Sequence, residues 1–129
     1  MTIESQDDID GIMNAGRIVA RVRDAMLSAV EPGMTTAELD GLGGALLERL
    51  GARSAPRVTY NFPGATCISV NEQAAHGIPG LRVIQPGDVV NVDVSAEFLR
   101  VILRIRVAPP LFLPSRKSRS DYAAPLDWL

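Results

Sequence analysis

The sequence predicts an α+β or mixed α/β fold, with helices in the first part of the chain and strands after them. Apolar residues recur at helical spacing from residue 9 to residue 50. From residue 58 onward the apolar segments are short, rich in β-branched residues, and separated by proline and glycine. The chain has 129 residues, which is enough to bury a core, and it shows no internal repeat.

The first helix is predicted to begin after Ser5, because a serine followed by several aspartates is typical of a helix N-terminus. Pro32-Gly33 ends it. The residues at helical spacing, which we expect to form its apolar stripe, are Ile9, Ile12, Met13, Gly16, Val19, Ala20, Met26 and Val30.

A second helix is predicted to follow the capping box Thr35-Thr36-Ala37-Glu38, in which the glutamate stands three residues after the threonine. Gly51 is placed where a glycine commonly ends a helix. The apolar stripe is Leu39, Leu42, Leu46, Leu47 and Leu50. The first half of the chain is therefore predicted to be a pair of helices.

Two short β-rich segments follow, at residues 58–60 and 66–70, and Pro63-Gly64 separates them. Pro86-Gly87-Asp88 is typical of a tight turn, and residues 89–95 alternate as a strand does. Turns or loops are expected at 71–72 and 77–80. In the strand, Val90, Val92 and Val94 face one side, and Val89, Asn91, Asp93 and Ser95 face the other.

The signals weaken after Glu97. Alternation over residues 101–107 permits another strand, although residues 96–100 lack the turn chemistry of a tight hairpin. Prolines and basic residues over 109–120 indicate an unstructured tail. Residues 1–99 hold 13 acids and 7 bases, whereas residues 100–129 hold 2 acids and 6 bases, so the charge changes sign at the same place.

Composition excludes several classes of function. A net charge of −2 argues against a specific nucleic-acid binder, and a single cysteine excludes an intrachain disulfide and a CxxC zinc site. No apolar run reaches the roughly 18 residues of a membrane span, and the acidic N-terminus is unlike a signal peptide. We therefore expect a cytoplasmic protein with no membrane partner. His76 is the only histidine, which excludes a two-histidine site.

Three residues could carry chemistry. Asp93 stands in an apolar strand, so it is either a solvent-facing aspartate or a rigidly held metal ligand or acid–base group. His76 lies between small residues in a turn-rich segment, where a histidine is either structural, simply exposed, or functional. Cys67 lies in an apolar strand without a neighbouring cation, which favours a small buried side chain over a reactive thiolate.

Four separated segments resemble type I methionine aminopeptidases, of the metalloaminopeptidase and creatinase superfamily. The most specific of them contain the sequences His76-Gly77-Ile78-Pro79 and Asn91-Val92-Asp93. In chain order the segments are residues 14–17, 31–40, 61–79 and 85–94. The resemblance covers about residues 3–97, so it concerns only the N-terminal portion of the family.

This resemblance implies the N-terminal half of a pita-bread fold and a metallopeptidase that removes N-terminal methionine from nascent proteins. In that family two aspartates, one histidine and two glutamates hold two divalent ions, which supply the attacking hydroxide. By resemblance, His76 contacts the scissile amide and Asp93 is the first metal aspartate. Cys67, Tyr60 and Phe62 fall in the segment that lines the substrate pocket.

The family's remaining metal ligands are absent from the sequence. No histidine follows His76, and the only acids after Asp93 are Glu97, Asp121 and Asp127. We expect that the chain does not bind its divalent ions stably, and the sequence does not distinguish cobalt, manganese, iron or zinc. Little or no aminopeptidase activity is therefore expected of this chain alone.

A change of reading frame would explain the departure. Codons permitted for residues 100–110, read from the third base of the Arg100 codon, can encode Gly-Tyr-Ser-Ala-Asp-Thr-Gly-Gly-Ala-Pro. That peptide contains the family's missing aspartate motif. We therefore hypothesise a partial aminopeptidase domain over residues 1–99, truncated or frameshifted into a divergent basic tail over residues 100–129.

Resemblance also sets the expected partners, which are N-terminal peptides of nascent proteins, met at the ribosome by a monomeric chain. Two other interpretations stay open on sequence alone. The chain could be a non-catalytic pseudo-enzyme or peptide-binding fragment, or it could be a pseudogene product without function.

Overall fold

The structure, a computed structural model, describes residues 3–98 with their side chains and the backbone of residues 101–106 and 111–112. Within these residues three helices lie beside an antiparallel sheet. None of the helices so described combines the length and apolar character needed to cross a membrane. The predicted mixture of helix and strand is confirmed.

Helix α1 is Gln6–Ala29, and its predicted limits are confirmed. Ser5 caps it, because the Asp8 backbone N–H donates to Ser5 Oγ at 3.2 Å and the Ser5 N–H donates to Asp8 Oδ2 at 3.0 Å. The predicted stripe is partly wrong, since Ile9 and Met13 are 41% and 52% exposed. With 3.6 residues per turn, these two positions lie nearly opposite the buried seam. That seam is Gly11, Ala15, Ile18, Val19, Val22 and Met26.

Helix α2 is Thr36–Arg49, and the predicted capping box is confirmed. The Glu38 N–H donates to Thr35 Oγ1 at 3.2 Å, and the Thr35 N–H donates to Glu38 Oε2 at 2.7 Å. Gly51 has a φ of 73°, a left-handed conformation that glycine adopts without strain. Leu39, Leu46 and Leu47 are buried against the rest of the core.

Residues 58–60 were predicted to be β-rich, and that prediction is wrong. They end a six-residue helix α3, Ala55–Tyr60, which follows the two-residue strand β1, Arg53–Ser54. Ser54 caps the helix, and Pro56 lies in its first turn, where a missing N–H is tolerated. The capping serine and the proline therefore override the β propensity of Val58 and Tyr60.

The longest strand, β3, Val89–Phe98, lies at the centre of the sheet. Along one edge it pairs with β1 and with β2, Cys67–Val70. Along the other it pairs with β4, Val101–Arg106, and β5, Leu111–Phe112. All these pairs are antiparallel.

The strand permitted by alternation after residue 100 does form, as β4. Residues 99–100, where hairpin turn chemistry is missing from the sequence, lie outside the described residues. So does most of the predicted tail at 109–120, apart from the two residues of β5. The division of the chain at residue 99 stays a prediction.

The core lies between the helices and one face of the sheet. Val90, Val92 and Val94 of β3 are fully buried in it, as their alternation predicts. They share a cluster with Val19, Val22, Met26, Leu39 and Leu47. Because neighbouring strand residues point to opposite faces, the polar residues of β3 lie on the other side of the sheet.

Candidate active site

The polar face of the sheet is built by β2 and β3 together. Cys67 is directly opposite Asp93, and Ser69 is directly opposite Asn91. Residues opposite one another in an antiparallel pair share a face, so these four lie side by side. Asp93 is only 6% exposed, and the solvent-facing interpretation of this aspartate is therefore wrong.

A small cleft brings His76 and Asp93 together. Its lining residues are Ala74, Ala75, His76, Asn91 and Asp93. The cleft has a volume of about 50 Å³, whereas sites that enclose a small molecule measure roughly 300–1,000 Å³. The cleft that the described residues form is therefore too small to enclose a methionine side chain.

The backbone around His76 is held in an unusual conformation. His76 has a φ of 54°, in the left-handed region that few residues other than glycine adopt. The Ile68 N–H donates to the Gly77 carbonyl at 3.0 Å, and the Gly77 N–H donates to Ser69 Oγ at 3.1 Å. These two bonds fix the loop to β2, and the imidazole is exposed beside the cleft.

The other predicted site residues lie around the cleft and not in its described lining. Cys67 is buried beside Asp93 and forms no disulfide. Tyr60 is 80% exposed at the end of α3, and Phe62 is partly buried just after it. Contacts of Cys67, Tyr60 and Phe62 with a substrate methionine stay predictions.

Asp40, in α2, binds the segment that leads into β2, and the sequence analysis did not predict this role. Its carboxylate is buried and accepts hydrogen bonds from the Ala65 N–H at 3.0 Å, the Thr66 N–H at 2.7 Å and the Thr66 hydroxyl at 2.7 Å. Arg57 Nη2 lies 3.9 Å from Asp40 Oδ2. Asp40 thereby fixes the chain immediately before Cys67. An aspartate next to Leu39 in the helix stripe was the available signal.

Helix α2 also binds Gly80, at the end of the segment that contains His76. The Gly80 N–H donates to Thr36 Oγ1 at 2.9 Å, and the Ala37 N–H donates to the Gly80 carbonyl at 3.0 Å. Further along the loop, Arg82 Nη1 donates to Glu72 Oε1 at 2.8 Å. This hydrogen bond with Arg82 lowers the pKa of the exposed Glu72 carboxyl. The start of α2 thus holds the end of the segment that carries His76.

The described residues do not fit a two-metal centre. No group of three or more His, Cys, Asp or Glu side chains lies together in the part of the chain with described side chains. His76 and Asp93 are the only titratable residues that the described cleft lining contains. A stable metal site needs more donors than this pair offers.

Comparison with known proteins shows the family to which the chain belongs. The chain matches the model of metallopeptidase family M24 over residues 10–106. It is 53% identical over 96 residues to a methionine aminopeptidase of Staphylococcus epidermidis, covering 74% of this chain and 38% of that protein. It is 48% identical over 99 residues to methionine aminopeptidase 2 of Bacillus subtilis, covering 76% of this chain and 40% of that protein.

Solved structures show the same fold. The methionine aminopeptidase of Thermotoga maritima superposes with a TM-score of 0.82 at 26% identity, over 94% of this chain and 48% of that one. That of Rickettsia prowazekii gives 0.70 at 31% identity, over 76% and 40%. A prolidase of Pyrococcus horikoshii, at 21% identity and a TM-score of 0.70, shares the fold. The chain therefore has part of a pita-bread fold and spans about two fifths of the length of the curated relatives it matches.

Proposed function

The chain belongs to metallopeptidase family M24, and we propose that it serves the removal of N-terminal methionine from nascent proteins in the cytoplasm, as one wall of a methionine aminopeptidase site. Similarity to the aminopeptidases of Staphylococcus epidermidis and Bacillus subtilis supports this substrate class. The observation that carries the proposal is the cleft in which His76 and Asp93, from two separated segments, face the same space.

His76 would act on the peptide bond through its imidazole. The ring borders the cleft from an exposed loop, so its N–H can donate a hydrogen bond to the carbonyl oxygen of a substrate amide. Asp93 supplies a buried carboxylate on the facing strand, and Asn91 supplies an amide beside it. These groups orient a substrate. They do not themselves generate a nucleophile for peptide hydrolysis, so we propose that the 129 residues alone have no peptidase activity.

Hydrolysis of Met-Ala-Ser in the presence of cobalt or manganese tests this proposal directly. The purified chain is expected to release no methionine above the rate of a heat-treated sample. His76→Ala is the matched control. Turnover by the unsubstituted chain that His76→Ala abolishes would show that these residues form a complete catalyst after all.

A binding measurement tests whether the cleft recognises a substrate with an N-terminal methionine. Because His76 is the only histidine, its ring signals in an NMR spectrum report on this loop alone. Met-Ala-Ser at millimolar concentration is expected to shift these signals more than Gly-Ala-Ser does. Equal effects of the two peptides would contradict recognition of methionine by this face.

A further inference from the structure

We propose that Ser69 is a positioning residue for His76, acting through the peptide bond between His76 and Gly77. That His76 acts on a peptide bond rests on the proposed function, whereas its positioning by Ser69 does not. Ser69 is buried on the polar face of the sheet, directly opposite Asn91 in the strand pairing. Its hydroxyl oxygen accepts the Gly77 N–H at 3.1 Å, in a buried hydrogen bond.

Two successive residues of β2 bind both backbone polar groups of Gly77. While Ser69 accepts its N–H, the Ile68 N–H donates to its carbonyl at 3.0 Å. The loop lies so close to the strand that a Cβ on residue 77 would overlap the Ile68 carbonyl oxygen. Only glycine permits this approach, so the two hydrogen bonds and the missing side chain act together.

These two hydrogen bonds determine the backbone of His76. The Gly77 N–H belongs to the planar peptide unit that follows His76, so its direction sets ψ of the histidine. His76 also has a φ of 54°, a conformation that a residue with a side chain keeps only when its surroundings hold it. Without the Ser69 hydroxyl, the peptide unit could rotate and carry the imidazole away from Asp93.

The test uses the full chain without metal or peptide, so its outcome does not depend on whether the proposed aminopeptidase role is right. In Ser69→Ala we expect the His76 ring signals to move toward those of an unstructured histidine. The Gly77 amide should exchange with solvent about ten-fold faster or more, because its partner is gone. Ser69→Thr keeps a hydroxyl and should retain both properties.

Ser54→Ala is the matched control. Ser54 Oγ donates to the Ala65 carbonyl at 2.6 Å, so this variant also removes a serine hydroxyl bonded to the backbone. It lies away from the described lining of the cleft, and the His76 signals should stay where they are. Unchanged His76 ring signals in folded Ser69→Ala would overturn the proposal.

A second variant decides the matter if Ser69→Ala unfolds the chain. Ser69→Cys keeps a side chain of similar size but replaces the hydroxyl with a thiol, which is a much weaker acceptor. The Gly77 amide should then exchange faster, and the His76 ring signals should move in the direction expected for Ser69→Ala. Faster exchange of Gly77 with unmoved His76 ring signals would show that Ser69 contributes to stability alone.

Discussion

Gly77 can carry no side chain without moving the backbone of β2. A Cβ there would overlap the Ile68 carbonyl oxygen. We therefore expect Gly77→Ala to lower the free energy of unfolding by about 3 kcal/mol, since relief requires a backbone shift. Gly80→Ala is the control, because a Cβ at Gly80 meets nothing within 4 Å. Urea denaturation of the two variants measures the difference, and equal midpoints would contradict this account of the loop.

Asp40 stabilises the site through buried hydrogen bonds from two consecutive residues. Asp40→Ala leaves the N–H groups of Ala65 and Thr66 without their acceptor, so we expect a loss of about 3 kcal/mol in the free energy of unfolding. Asp24→Ala is the control, because Asp24 pairs with Arg23 in an exposed position and should cost about 1 kcal/mol or less. If both variants unfolded at the same denaturant concentration, the buried Asp40 hydrogen bonds would contribute no more to stability than the exposed Asp24 ion pair does.

Some residues of the candidate site could be predicted from the sequence, and others could not. His76 and Asp93 stood out by type and setting, and the structure places both at one cleft. Ser69 and Asp40 did not, because a serine in a strand and an aspartate in a helix are common and their partners are remote in sequence. Asp40 bonds to residues 25 and 26 positions away, a distance that no local pattern encodes.

At the scale of the element, the cap of α2 makes stability depend on pH. The Thr35 N–H and hydroxyl both donate to Glu38, and these bonds hold the pKa of the Glu38 carboxyl below its usual range. Folding therefore favours the ionised form. The stabilisation is complete above the ordinary glutamate pKa of about 4.3 and is lost as pH falls through the lowered value.

Glu38→Gln tests this pH dependence. The original chain should lose more stability than the variant when the pH is lowered from 6 to 3, as measured by urea midpoints. Glu48→Gln, an exposed glutamate in the same helix, controls for the loss of one negative charge. Should Glu38→Gln and the original chain lose stability in parallel, the capping carboxylate is not the cause.

Elements with local signals were predictable, and the others were not. Ser5 and the Thr35–Glu38 box set the starts of α1 and α2, because a cap is a short-range interaction. Helix α3 was not predicted, because the β-branched and aromatic residues at its end indicated a strand. In the structure the Ser54 cap and Pro56 determine the helix instead. Strand β4 lacks a recognisable turn before it, yet its register with β3 extends over six residue pairs.

At the scale of the molecule, the apolar core lies on one face of the sheet and the polar cleft lies on the other. The helices bury the valines of β3 and thereby fix the polar positions between them. The opposite face presents His76, Asn91 and Asp93 to a cleft of only about 50 Å³. The curated relatives are more than twice the aligned length, and a solved methionine aminopeptidase shares this fold over 48% of its chain.

The register of β4 allows the missing metal carboxylate to be tested. Read in the alternative frame, the aspartate of the Gly-Tyr-Ser-Ala-Asp-Thr peptide would fall at position 104. That position pairs with Ser95, while Asp93 pairs with position 106, so positions 93 and 104 are diagonal neighbours on one face. Diagonal neighbours lie roughly 7–8 Å apart, within reach of one shared cation.

We therefore expect Arg104→Asp to bind Mn²⁺ with a dissociation constant of about 1 mM, a value typical of weak carboxylate sites. The electron paramagnetic resonance signal of free Mn²⁺ measures this binding, and the original chain should leave that signal at its full strength. Arg104→Asn removes the positive charge without adding a carboxylate and should also bind no Mn²⁺. Adding Asp93→Asn to Arg104→Asp should abolish binding, because a single carboxylate remains. Retention of Mn²⁺ in that double variant would show that Asp93 and position 104 do not share an ion.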